Sequence, residues 1–189
     1  MPNMNDSEFL QCECEGLDHE KFNSILSDEL RKNITVHDVF NRDYCVMLSV
    51  DKIDEDEGLS VHEYLTDLKG KMGVYGLWIE HTECYDHDMH RMLCLYIGKG
   101  FALGRIKRHI TEKWPEQELL YVTFYECENR IAKYIEQLFL DNYDFPLNSE
   151  ENTGEGFLAT VWDSERYSIG TNLHEISDRL ANKFPGRFQ

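Results

Sequence analysis

Between Met72 and Asn142 the apolar residues pass back and forth between strand-like runs and helical spacing, and this limits the chain to a mixed fold. Three runs read as strands: Met72–Glu80 (MGVYGLWIE), Met92–Ile97 (MLCLYI) and Leu119–Glu126 (LLYVTFYE), the last made of β-branched and aromatic residues that suit a pleated surface. Gly98, Gly100 and Gly104 punctuate the approach to a predicted helix that runs to about Lys113, where Pro115 helps to stop it. A second helix is predicted over 129–142. It sets Ile131, Tyr134, Ile135, Leu138 and Phe139 at i, i+3, i+4, i+7 and i+8, which is one apolar stripe, and it ends before Pro146. The order β-β-α-β-α predicts an α+β sandwich, in which a three-stranded, mostly antiparallel sheet carries flanking helices.

The flanks divide the chain into three. Residues 1–70 hold an acidic leader (1–17), an amphipathic helix over 18–32, a strand at Tyr44–Val50 and an acidic turn at 51–58. A helix opened by the capping pair Ser60 and Glu63 follows and stops at Gly70. Residues 71–150 form the core. Residues 151–189 add a strand near Phe157–Trp162 and a helix near Asn172–Lys183, and are expected to pack on that core.

No run approaches the roughly 18–20 apolar residues that span a bilayer. The opening MPNMNDSEFLQCECEG has neither the basic head nor the apolar core of a secretory signal. A soluble, cytoplasmic protein with no membrane partner is expected, with delivery to another cell by a different route left open. None of the six cysteines forms a Cys-x-x-Cys pair, which fits free thiols in a reducing compartment better than a disulfide framework.

The net charge of −17 argues against nucleic acid, but its distribution softens the point. Residues 1–70 carry 17 Asp and Glu against 6 Lys and Arg, whereas residues 71–189 carry 19 against 13. Within 99–113 the balance reverses, with Lys99, Arg105, Lys107, Arg108 and Lys113 opposed only by Glu112. A local basic patch of this kind can hold phosphate on an acidic protein.

The predicted elements also carry a series of short motifs. Gly73-Val74-Tyr75 lies in the first strand and Tyr96-Ile97-Gly98 in the second, with Lys99 directly after it. Arg105-x-x-Arg108-His109 follows in the next helix, Glu136 in the long helix, and Asn148 stands 12 residues further on in Pro-Leu-Asn. Each motif alone is weak. In this order, on these elements, they resemble the catalytic domain of the GIY-YIG nuclease family, over about 80 of the 189 residues. The arginine-histidine spacing is similar to that of intron homing and some restriction endonucleases, and the Glu-to-Asn interval to that of the excision-repair incision subunit. The chain departs from the family's minimal members in a longer hairpin, through an insertion at about 81–91.

The resemblance implies a divalent-metal-dependent endonuclease. Glu136 would hold one Mg²⁺ or Mn²⁺, an ion that keeps several waters and binds substrate phosphate. Arg105 would fork onto phosphate oxygens in the transition state. Tyr75 would orient or deprotonate the attacking water with Tyr96 in support, and His109 would relay a proton or bond a tyrosine hydroxyl. Lys99, Lys107 and Arg108 are candidates for nucleic-acid contact, the last two otherwise reading as a solvated helix face. Gly73, Gly98 and Asn148 would support the site, Asn148 by tying its loop to the site backbone.

A second set, His81, Cys84, His87 and His90, recurs every three residues in the insertion. These are zinc-ligand types in an unusual spacing, and a solvated hairpin tip is the competing reading. The expected partner is DNA, with RNA left open. Restriction, repair and a delivered toxin all fit a compact nuclease, and a homodimer would let one site per chain cut two strands. The acidic residues 1–70 offer a surface for an inhibitor or carrier protein. The alternative is a catalytically silent domain of the same fold, used for binding or assembly.

Overall fold

The computed structural model describes residues 17–41, 44–48, 65–114 and 119–170. The leader up to residue 16 with Cys12 and Cys14, the acidic turn at 51–58, the Ser60 cap and the helix expected near 172–183 lie outside the described residues.

The protein is mixed α+β. Its elements are α1 (Glu20–Leu30), α2 (Val36–Phe40), β1 (Tyr44–Leu48), a 3-10 turn (Thr66–Leu68), β2 (Met72–Cys84), β3 (Met89–Phe101), α3 (Ala102–Lys113), β4 (Leu120–Glu126), α4 (Asn129–Asn142), β5 (Ala159–Asp163) and α5 (Ser164–Ile169). The sheet has five strands in the order β1-β4-β2-β3-β5, every neighbouring pair antiparallel, instead of the three expected. Both extra strands were expected as strands. Apolar pattern alone does not say which sheet a strand joins, and β1 and β5 close the two edges of this one.

Helices cover both faces, so β2 is buried from Gly73 to Trp78 without alternation. On one face Val74, Trp78, Cys94 and Ile97 pack with Phe22 and Leu26 of α1, Phe40 of α2, and Ile135 and Phe139 of α4. On the other face Tyr75, Leu77, Tyr96 and Phe124 pack with Ala102, Ile106 and Ile110 of α3 and with Leu65 and Leu68.

One irregularity in the central hairpin decides which residues share a face. Leu77 is paired with Tyr96 but Trp78 with Cys94, so Leu95 is an extra residue in β3. A bulge of this kind re-aims the side chains beyond it. Cys94 faces α4, while Leu95 and Tyr96 both face α3 and join Tyr75 there.

The insertion is a solvated hairpin tip. Both strands continue to a turn at residues 85–88, with Asp88 at φ 53°, because β5 pairs with β3 from Met89 to Leu93 and supports its backbone while the side chains at 81–83 stay in water.

Candidate active site

The outer edge of β3 builds the site. β5 covers this edge only up to Leu93, and irregular backbone continues the cover: Cys94 N donates to Leu158 O at 2.9 Å and Leu147 N to Leu95 O at 2.9 Å. At Ile97 a side chain takes over. Asn148 Oδ1 accepts from Ile97 N at 3.0 Å and its Nδ2 donates to Ile97 O at 2.9 Å, reproducing a strand's bond pair with one amide. Asn152 holds the loop that presents it, accepting from Phe145 N at 3.1 Å and donating to Asp144 Oδ1 at 2.7 Å. Replacing Asn148 with alanine removes both bonds and leaves the Ile97 peptide without them. Asn148→Ala should therefore cost about 2 kcal/mol in a urea titration, and an unchanged midpoint would show that water serves as well.

Beyond Asn148 opens a cleft of about 210 Å³, lined by Tyr96, Lys99, Lys113, Glu136, Asn148 and the loop 149–151. Residues distant in sequence meet here, since Lys99 lies in β3 and Glu136 in α4, the two side chains forming an ion pair through Glu136 Oε2. Lys113, at the end of α3, sits 4.7 Å over the Tyr96 ring and donates to Leu147 O at 3.1 Å. Sequence reading counted Lys113 only as charge. Its place over an aromatic face could have been found only from the α3–β3 packing.

Behind Tyr96 lies a buried aromatic layer. The Tyr75 and Tyr96 rings stack with centroids 6.1 Å apart, and Tyr96 Oη is 3.0 Å from His109 Nε2. Tyr75 is wholly buried and its hydroxyl, like His109 Nδ1, has no hydrogen-bond partner among the described residues. Tyr75 was expected to meet the attacking water directly. In the structure its hydroxyl is shielded from solvent, and Tyr96 lines the cleft. Burial also raises both phenols above the ordinary tyrosine range, which disfavours the phenolate.

His109 moves the other way. Burial, with the nearby Lys113 and Arg105 cations, lowers its pKa to about 4, so the imidazole is neutral near pH 7 and its basicity is weakened. An unfolded histidine titrates near 6.5, so between about pH 6.5 and 4 the unfolded chain binds the extra proton and the native state is penalised. Stability present above pH 6.5 should fall as the pH drops through that window. The fall should be smaller in His109→Gln, and equal pH slopes of the thermal midpoint in the two proteins would refute the assignment.

Arg105 is exposed on α3 and lies across Gly100, where an added Cβ would stand 3.0 Å from its Cδ and Nη1; Gly100 has φ 122°, a conformation that favours glycine. Arg108 is paired with Glu112 at 2.8 Å on the solvated side of the same helix, and Lys107 is half-buried there, neither lining the cleft. Gly73 sits opposite Gly100 and Glu126 in the sheet, and Gly98 opposite Tyr75.

The four proposed zinc ligands do not converge. Cys84 Sγ and His87 Nδ1 lie 3.5 Å apart, but His90 is buried with both ring nitrogens engaged by protein, Nδ1 by Glu80 at 2.7 Å and Nε2 by Ser164 at 3.4 Å. Among the described residues no three His, Cys, Asp or Glu side chains gather closely enough to hold a metal ion between them. Cys45, Cys84, Cys94 and Cys127 form no disulfide, and Cys127 lies just past the end of β4. No described helix is long and apolar enough to cross a membrane. No protein-family model, curated protein or solved structure matches this chain.

Proposed function

We propose that the chain is a divalent-metal-dependent endonuclease of the GIY-YIG type, hydrolysing phosphodiester bonds in DNA. One observation carries the reading: Tyr96, Lys99, Glu136 and Asn148, singled out in three separate segments, line a single polar cleft, with His109 bonded to Tyr96 behind it.

The residues fit one Mg²⁺ or Mn²⁺. Glu136 stands on a rigid helix with its side chain 13% exposed, and Lys99 already marks its carboxylate as a cation site. Glu136 would hold the ion, with Lys99 yielding Oε2. When bound, the ion supplies positive charge that acidifies a coordinated water and offsets the charge of the phosphate.

The chain's own side chains do the rest. Tyr96 orients the attacking water at the cleft wall and passes its hydroxyl proton to His109 Nε2 as it takes one from the water. Arg105 grips non-bridging phosphate oxygens with its planar fork. Tyr75 backs the Tyr96 ring, and Asn148 fixes the Ile97 peptide on which Tyr96 and Gly98 depend.

A silent binding module of the same fold is favoured by one fact, that Lys99 neutralises Glu136 within the chain. A 5′-labelled DNA duplex with Mn²⁺, resolved on a denaturing gel, separates the two readings. Strand scission supports the nuclease. An intact duplex that the folded protein still retards in a native gel supports the module.

A further inference from the structure

At the far end of the same hairpin a second group of side chains forms an arrangement that the cleft does not use. Glu80 lies in β2, His90 in β3, and Ser164 is the first residue of α5. Glu80 Oε1 is 2.7 Å from His90 Nδ1, and Ser164 Oγ is 3.4 Å from His90 Nε2. The other carboxylate oxygen, Oε2, accepts the Tyr167 hydroxyl at 2.7 Å.

These contacts settle the tautomer. A carboxylate at Nδ1 makes that nitrogen the donor, so a neutral ring turns a bare lone pair at Nε2 toward Ser164. The ring cannot swing away, because Tyr167 lies flat against it with centroids 3.6 Å apart and planes 3° from parallel. Ser164 is half-buried while His90 is 6% exposed, so the serine is the more accessible of the two. The hydroxyl donates to the Asp88 carbonyl at 3.2 Å with Nε2 beside it, so its proton must turn from that carbonyl to the ring for the attack. Nucleophile, base and orienting carboxylate thus stand in the order that acyl transfer requires.

We propose that Ser164 is an activated nucleophile which, with His90 as base and Glu80 as its orienting carboxylate, forms a second, metal-independent centre hydrolysing acyl esters. Oγ attacks the ester carbonyl carbon while its proton moves to Nε2. The bond to the leaving alcohol breaks, and the alcohol takes that proton from Nε2. Water then attacks the acyl-serine and gives a proton to Nε2, which returns it to Oγ as the carboxylic acid departs. Glu80 stays ionised throughout. This centre shares no side chain with the cleft, so it stands or falls independently of the nuclease reading.

The test is labelling of the full chain by a fluorophosphonate, whose P–F bond breaks, releasing fluoride, as the Oγ–P bond forms. Peptide mass mapping should place the label on Ser164, and Ser164→Ala should abolish it. Labelling should slow at least about tenfold in His90→Gln and in Glu80→Gln, the second of which keeps the side chain's shape should the first fail to fold. An unlabelled Ser164 in the folded wild type overturns the proposal. So does undiminished labelling in folded Glu80→Gln.

Discussion

Gly98→Ala should destabilise the protein by about 3 kcal/mol and abolish any activity of the cleft. A Cβ at this position would stand 2.5 Å from the Tyr75 hydroxyl and 2.6 Å from its Cζ, far inside van der Waals contact. The ring is fully buried, directly across the strand pair, with Tyr96 stacked beside it. It can yield only by pushing on Tyr96 and, through it, on His109. The overpacking cost and the loss of site geometry therefore arise from one displacement. Chemical denaturation checks the first and strand cleavage the second. A midpoint equal to that of the wild type would mean that the aromatic layer has slack that the packing does not suggest.

Glu136→Gln should lower cleavage roughly 10²–10³-fold, about 3–4 kcal/mol of transition-state stabilisation. The amide keeps an oxygen that can accept from Lys99 but loses the charge proposed to bind a divalent ion. The pair is partly exposed, with Lys99 at 27% and Glu136 at 13%, so the folding penalty should stay near 1 kcal/mol. Activity and stability are thus expected to separate in this variant, whereas Gly98→Ala loses both. Single-turnover rates beside a urea titration read the two quantities. A loss of activity matched by an equally large loss of stability would make Glu136 a structural residue.

The long helix α4 was legible at about 129–142, since five apolar side chains on one stripe mark its body. The strands of the central hairpin and β4 were legible in type for the same reason. Their grouping was not, because β1 and β5 join the sheet through backbone bonds that apolar pattern does not record. The short helices α2 and α5 went unread. At 5 and 6 residues they carry less than two turns of periodicity, and α2 is held by a Thr35–Asp38 capping box rather than by an apolar stripe. The hairpin beyond Glu80 was read only as an insertion because its side chains are polar, although Thr82, Glu83 and Cys84 pair with Arg91, His90 and Met89.

In the candidate site, Tyr96, Lys99, Glu136 and Asn148 were named through the family resemblance that the order of short motifs carries. The different placement of the two tyrosines could not be read that way. It depends on the extra residue at Leu95, which turns Tyr96 to the face of Tyr75 and brings it to the cleft while Tyr75 stays behind. Asn152 and Lys113 act through loop and helix packing and leave no comparable trace in the sequence.

Supercoiled plasmid incubated with the purified protein and Mg²⁺ or Mn²⁺, with and without EDTA, tests the central claim most directly when wild type and Glu136→Gln are run together. The account predicts nicked or linear product with metal, none with EDTA, and a loss of at least roughly 10²-fold in a folded Glu136→Gln. Plasmid left intact by folded wild type in either metal, or cleaved equally well by Glu136→Gln, would contradict it.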